Sequence, residues 1–302
     1  MKLLRRWLTY ALATLLMAIA VVACTGGGGS GTTITVGSKD FTEQLVLGEM
    51  YALVLEEAGL TVSRSLNLGG TPVAQAALES GDIDLYPEYT GTGLLTVLKE
   101  PVNTDPAAVY ETVSSQYLEQ FDLVWLDPAP MNNTQALAMT RSRATELNIT
   151  TISDLVAQAS ALTLIGPPEF EVREDGLLGL KTTYGDFALK AYKAVDAGLR
   201  YKGLVDGEAD VVVAFGTDGE ISAFDLVVLE DDKGLFPPYQ VAPVVRQDTL
   251  EANPAIADAL NALAPLLTDE VMQGLNYAVS GEQQEPAAVA RTFLQEQGLV
   301  GA

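Results

Sequence analysis

The sequence predicts an α/β protein built as two lobes, and three observations lead there. The chain has 302 residues, more than one hydrophobic core usually serves. Short strand-like runs recur between longer segments whose apolar residues fall at helical spacing. One motif also occurs twice. Gly81-Asp82-Ile83-Asp84-Leu85 resembles Gly207-Glu208-Ala209-Asp210-Val211, and an aromatic stands eight positions after each leading glycine, Tyr89 and Phe215. A glycine and acids ahead of a strand are common helix-stop chemistry, so coincidence and two similar lobes both stay open on this motif alone. In open α/β sheets ligands bind beyond the carboxyl ends of the strands, where both aromatics would stand.

The elements follow in order. Thr33 to Gly37 alternates as a short strand, and Thr42 to Glu57 places Leu45, Met50, Leu53 and Val54 on one helical face, ended by Gly59. Thr61 to Leu66 is a second strand. Thr71-Pro72 opens a helix with Thr as cap and Pro at the first position; it runs to Ser80 and stops at Gly81. Ile83 to Tyr86 is a brief strand. Asp105-Pro106 opens a helix reaching about Phe121, and Leu123 to Leu126 is a strand. Leu162 to Ile165, Val211 to Ala214, Leu226 to Leu229 and Val241 to Val245 complete the strands. Helices follow near 254–266 and 268–279, with a last one from Glu285-Pro286. Strands alternating with helices predict largely parallel sheets.

Composition narrows the function. Forty Asp and Glu against seventeen Lys and Arg give a formal net charge of -23, which repels phosphates and argues against nucleic acid. There is no His and one Cys. That removes Ser-His-Asp and Cys-His machinery, His-containing metal sites and any internal disulfide. The acid run Glu230-Asp231-Asp232 lacks the spaced oxygen ligands of a calcium loop and reads as a solvated turn. No phosphate-cradling GxxxxGK[ST] is present, and no cofactor is expected.

Residues 1–23 have the layout of an export signal: Lys2, Arg5 and Arg6, then an apolar run from Trp7 to Ala23. The cut would fall in Val21-Val22-Ala23-Cys24, which resembles a bacterial lipobox and makes Cys24 a lipid attachment site. The competing reading, an uncleaved membrane helix, meets an apolar run short for a bilayer. Acyl chains on Cys24 would hold the protein at a membrane surface. The glycine-rich stretch within 24–32 reads as a flexible tether.

Several segments are richer in polar and aromatic residues than packing requires: Gly37 to Gln44 (GSKDFTEQ), Tyr86 to Thr92 (YPEYTGT), Asn132 to Gln135, Glu169 to Gly176 (EFEVREDG), Thr217 to Gly219 (TDG) and Asp231 to Tyr239 (DDKGLFPPY). In this order, across roughly 33–300, they resemble the substrate-binding lipoproteins of osmoprotectant ABC transporters, which take up glycine betaine, choline and related quaternary amines. The resemblance implies a two-lobed type II periplasmic-binding-protein fold, a flytrap, with two crossover segments near 132–136 and 237–243. The implied lobes are 33–133 plus 242–302, and 134–241. It also implies an extracytoplasmic monomer that hands a small quaternary-amine ligand to a permease subunit.

A quaternary ammonium has no N–H to donate, so it is held by aromatic faces at roughly 0.5–2 kcal/mol each. The positions matching the family's cage are Tyr89, Gln135, Phe215 and Tyr239. Gln135 stands where Tyr is common in betaine-binding relatives and loses the aromatic face; Phe215 replaces a frequent Tyr and keeps it. Lys39, Thr92, Asn133 and Arg173 match positions that contact the carboxylate end, and the planar fork of Arg suits that group. Plainer roles exist: a solvated lysine, an Arg173 paired with Glu169, Glu171 or Glu174, and half-buried tyrosines. Two alternatives follow, a receptor for another small polar or amino-acid-like solute, and a carboxylate-dependent extracytoplasmic enzyme. No motif here selects the two carboxyls that such catalysis needs.

Overall fold

The computed structural model describes residues 33–301. The expected signal (1–23), Cys24 and the tether therefore lie outside the described residues. Among the described residues, no helix is long and apolar enough to cross a membrane.

Two five-stranded mixed sheets form the frame. The first half begins with β1 (Ile34–Gly37), α1 (Thr42–Glu57), β2 (Val62–Ser65), α2 (Thr71–Ser80) and β3 (Leu85–Tyr89). It continues through α3 (Pro106–Phe121) to β4 (Leu123–Trp125). The chain then enters the second sheet at β5 (Gln135–Thr140) and adds β6 (Thr163–Gly166), β7 (Ala191–Ala194), α4 (Arg200–Val205), β8 (Val211–Phe215) and β9 (Leu226–Val228). It returns to the first sheet as β10 (Val241–Arg246), and α5 (Ala255–Leu263), α6 (Asp269–Ser280) and α7 (Pro286–Glu296) follow. The strand orders are β2-β1-β3-β10-β4 and β7-β6-β8-β5-β9, one topology used twice.

The sheets are not largely parallel. β1 runs parallel to β2 and β3, as β6 does to β7 and β8, but β10 is antiparallel to β3 and β4, and β5 to β8 and β9. The exceptions are the two strands that carry the chain into each sheet from the other one. They arrive without a helical crossover, which is what parallel neighbours require.

Local chemistry sets the boundaries. Asp105 caps α3, its side chain accepting from the Ala108 N–H at 3.0 Å. Helix α2 starts at Thr71 as expected, but its cap is Gly70; the Thr71 hydroxyl is occupied elsewhere, accepting from Lys39 Nζ at 3.0 Å. Gly81 ends α2 in the left-handed region (φ 80°), which glycine adopts without steric cost. β3 lies later than the expected Ile83–Tyr86, because Asp84 is used as a side-chain acceptor for the Thr35 N–H at 2.7 Å. Pro87 does not break β3: it faces Pro243 of β10, a pair that can occupy the ladder position where neither N–H is needed.

The cores match the frame. Helix α1 is buried on nearly every side, with Val46, Leu47, Met50 and Leu55 inaccessible and Ile256, Leu260, Met272, Phe293 and Leu294 of α5–α7 in the same cluster. The other face of the first sheet buries Leu78, Tyr86, Val113 and Tyr117. The second sheet has its own layers, around Leu137, Leu164 and Val213 on one face and Ala138, Ile165 and Val212 on the other.

Candidate functional site

β3 and β8 end on the two aromatics of the repeated motif, Tyr89 and Phe215. Tyr89 is 4 % exposed. Its hydroxyl donates to Glu43 Oε1 at 2.7 Å, and its backbone N–H donates to Glu88 Oε1 at 2.6 Å. Lys39, read from sequence as an ordinary loop lysine apart from its motif, is buried: its Nζ donates to the same Glu88 oxygen at 2.6 Å and lies 5.1 Å from the Tyr89 ring centroid. Phe41 stacks on Tyr89 at 6.2 Å between centroids. Burial lowers the Lys39 pKa more than Glu88 raises it, and the Arg173 charge adds to the lowering. Lys39 and Arg173 thus lie close enough to repel each other, and each is paired with its own carboxylate, Glu88 and Asp175.

Phe215 has comparable surroundings. Its backbone N–H donates to Asp218 Oδ2 at 2.7 Å. The buried Arg200 of α4 donates to Asp218 at 2.6 Å, with its guanidinium carbon 5.3 Å from the Phe215 centroid.

The crossover segments lie against both ends. Asn133 donates from Nδ2 to Glu43 Oε1 at 2.6 Å, while its backbone N–H reaches the Tyr239 carbonyl at 3.1 Å. Gln135, opposite Phe215 in register, donates from Nε2 to Asp175 Oδ2 at 2.5 Å. The buried Tyr239 also gives its hydroxyl to Asp175. Arg173 forks onto that carboxylate with Nε at 2.7 Å and Nη2 at 2.5 Å. Its partner is Asp175, not the neighbouring glutamates weighed from sequence. Burial alone would raise the Asp175 pKa; the bonds and charge of Arg173, with the Tyr239 hydroxyl, hold it below the usual carboxylate value.

Thr92 is buried on the helical turn Thr90–Thr92 directly after Tyr89. A Cβ on Gly91 would stand 2.8 Å from the Tyr239 ring, so a side chain at Gly91 would drive the YTGT turn and the second crossover apart. Gly216 plays a like role, its Cβ position being 2.4 Å from the Asn132 carbonyl oxygen.

The eight expected residues therefore fall into linked groups. Tyr89 and Asn133 meet at Glu43; Gln135, Arg173 and Tyr239 meet at Asp175; Lys39 lies over Tyr89; Phe215 faces Gln135; Thr92 follows Gly91. The carboxylates at the nodes, Glu43, Glu88, Asp175 and Asp218, were not singled out from sequence. Each lies inside one of the polar segments noted above, and each is within a few positions of an aromatic or cation that was. Among the described residues, no group of acids or Cys is placed to hold a metal ion. Asp231 and Asp232 of the acid run accept from the Phe236 N–H at 2.8 Å and the Ser153 hydroxyl at 2.6 Å instead.

Comparison with known proteins gives consistent matches. A family model described as the substrate binding domain of ABC-type glycine betaine transport systems matches residues 32–296. A glycine-betaine-binding protein of Pseudomonas aeruginosa is 38% identical over 293 residues, covering 92% of this chain and 94% of that protein. An ergothioneine transport permease/ergothioneine binding protein of Helicobacter pylori is 36% identical over 267 residues, covering 88% of this chain. The chain spans about half of that relative, 48% of its length. Among solved structures, a glycine betaine/carnitine/choline ABC transporter protein superposes with a TM-score of 0.77 at 30% identity, covering 88% of this chain and 99% of that one.

Proposed function

The chain belongs to the family of substrate-binding domains of ABC-type glycine betaine transport systems, and from that premise we propose that it captures a quaternary-ammonium solute and delivers it to a permease. The solute class is glycine betaine, choline, carnitine or a close analogue, held in a cleft between lobes 33–133 plus 242–302 and 134–241. The role is binding and release, with lobe closure trapping the guest. Cleavage before Cys24 and lipidation there would tether a monomeric receptor to the outer face of the cell membrane.

One observation carries this reading. Two buried tyrosines from different parts of the chain, Tyr89 at the end of β3 and Tyr239 on the return crossover, are tied through Asn133 and Glu43, with the cations Lys39 and Arg173 close by. Rings attract the methylated cation, while the cations suit a carboxylate end. Titration calorimetry with glycine betaine, choline and carnitine tests it. Tyr89→Ala or Tyr239→Ala should weaken the preferred ligand by about 1–2 kcal/mol, roughly tenfold or more. Unchanged affinity in both variants would remove the cage.

A second reading is favoured by Gln135. It presents an amide, bonded to Asp175, where a fourth ring would stand, and together with Arg173 it makes that wall polar. Such a wall suits a betaine bearing a heterocycle with N–H groups, the chemistry of the ergothioneine named for the Helicobacter pylori relative. Gln135→Tyr separates the readings. If the guest is a simple betaine, the restored ring tightens binding about tenfold. If the guest uses the polar wall, the same change weakens it.

A further inference from the structure

Glu43 lies in the first turn of α1 and is 3 % exposed. Its hydrogen-bond partners come from three elements of its own half, and one of them also bonds the other half. Oε1 accepts from the Tyr89 hydroxyl of β3 at 2.7 Å and from Asn133 Nδ2 of the crossover at 2.6 Å. Oε2 accepts from Asn276 Nδ2 of α6 at 2.7 Å. That same amide donates to the Thr217 carbonyl, just beyond β8 of the second sheet, at 2.9 Å. Asn133 passes the connection on to Tyr239 through its backbone N–H.

We propose that Glu43 is a positioning residue that couples apposition of the two halves to the placing of Tyr89, and that closure of the halves takes up a proton there. The proposal rests on the solute-receptor reading. In the assembled cluster Glu43 is shut away from water. Separating the halves removes Thr217 and rehydrates the carboxyl, which makes the ionised form cheaper. Burial is the largest influence on Glu43 and raises it above its ordinary 4.5; the polar side chains of Thr217, Tyr89 and Asn276 oppose this, and the charge of Asp218 reinforces it. The other ionisable groups facing it are the phenols of Tyr51 on α1 and Tyr89 on β3, both neutral because burial raises them well above 10. Arg200 is engaged with Asp218. A protonated Glu43 also has acceptors at hand. Asn133 Oδ1 and Asn276 Oδ1 are buried without a hydrogen-bond partner, and a turn of either amide presents one of them.

The sign follows from linkage. The closed form holds the proton to higher pH than the open form, so closure strengthens as pH falls from neutral toward 4.5. Affinity for glycine betaine and choline is measured by calorimetry across this range in the wild type, Glu43→Gln and Glu43→Ala, with melting temperatures recorded for each. In the wild type binding is expected to tighten as pH falls, by up to about tenfold per unit at most. Glu43→Gln should fold and lose the slope. Glu43→Ala, which frees the Tyr89 hydroxyl, should lose the slope and bind about tenfold or more weakly. A Glu43→Gln slope equal to that of the wild type, or Glu43→Ala binding as well as the wild type, overturns the proposal. Small-angle scattering of the ligand-free protein keeps the two readings separate. If no quaternary amine binds at any pH, the receptor reading fails, while a radius of gyration that falls with pH in the wild type and stays level in Glu43→Gln still supports the coupling. Matching profiles for the two proteins sink it.

Discussion

Around Tyr89 and around Phe215 the molecule builds one arrangement from different side chains. Each aromatic ends the third strand of its sheet order, its backbone N–H bound by a carboxylate, Glu88 or Asp218. Each carboxylate also takes a buried cation at 2.6 Å, Lys39 or Arg200, and that cation lies over the aromatic ring at 5.1 or 5.3 Å. Each accepts a tyrosine hydroxyl as well, Tyr86 at 2.9 Å or Tyr201 at 2.6 Å. The likeness extends upstream. Asp84 and Asp210 both bind a backbone N–H of the neighbouring strand, Thr35 at 2.7 Å and Thr163 at 2.9 Å. The repeated Gly-acid-x-Asp is therefore a shared way of docking the third strand of each order onto the second.

The difference lies at the tip. Tyr89 has a hydroxyl that reaches Glu43 and, through it, the other half; Phe215 has none and is held by its ring and backbone alone. The first arm is locked into the cross-connection, while the second is supported only from behind. The two arms, alike behind the ring, therefore differ in how far they are tied to the rest of the molecule.

Removing the internal cations is the strongest way to break this comparison. Lys39→Ala leaves Glu88, which has no exposed side-chain surface, buried without its counter-charge, and a loss of about 3–5 kcal/mol is expected. Arg200→Ala exposes the same weakness at Asp218, but that side chain is 18% exposed and water can reach it, so the loss should be the smaller of the two. Urea unfolding of both variants decides it. Lys39→Met combined with Glu88→Gln should recover most of the stability, because no unpaired charge remains. An Arg200 variant that suffers more than the Lys39 variant would show that the two arrangements do not bear load alike.

Exchanging the tips gives a smaller effect. Tyr89→Phe keeps the ring but deletes the bond to the Glu43 carboxyl and should weaken ligand binding by about 0.5–1.5 kcal/mol. Phe215→Tyr adds a hydroxyl with no partner prepared for it, and its effect should stay within about 0.5 kcal/mol. Calorimetry on the pair reads the asymmetry directly, and equal responses would contradict it.

How much of this was legible in the sequence depends on the distance a side chain reaches. The repeated motif, its two aromatics, the cap at Asp105 and the helix end at Gly81 are local, and local chemistry announces them. The Lys39–Glu88 and Glu43–Asn133 contacts join residues 49 and 90 positions apart, so neither partner carries a mark of the other. β5 escaped for another reason: Gln135-Ala-Leu-Ala-Met-Thr140 has one β-branched residue, at its end, and is a strand because β8 and β9 flank it. Its antiparallel direction, like that of β10, follows from the chain crossing between sheets, which strand and helix patterns do not encode.

The smallest effect tests the shared upstream design. Gly81 and Gly207 both lie in the left-handed region, at φ 80° and 75°, each turning the chain out of a helix toward the third strand. Alanine there carries a left-handed backbone penalty of about 1 kcal/mol. At Gly207 the added methyl would meet nothing within 4 Å, whereas at Gly81 it would come 3.3 Å from Arg246 Nη1. That guanidinium ends a flexible side chain and also donates to the Leu78 carbonyl at 3.1 Å, so it can shift at modest cost. Gly81→Ala should therefore lose slightly more stability than Gly207→Ala in urea unfolding, with ligand affinity preserved in both. A loss confined to one variant would mean that the two turns, though alike in sequence, are not equivalent in the fold.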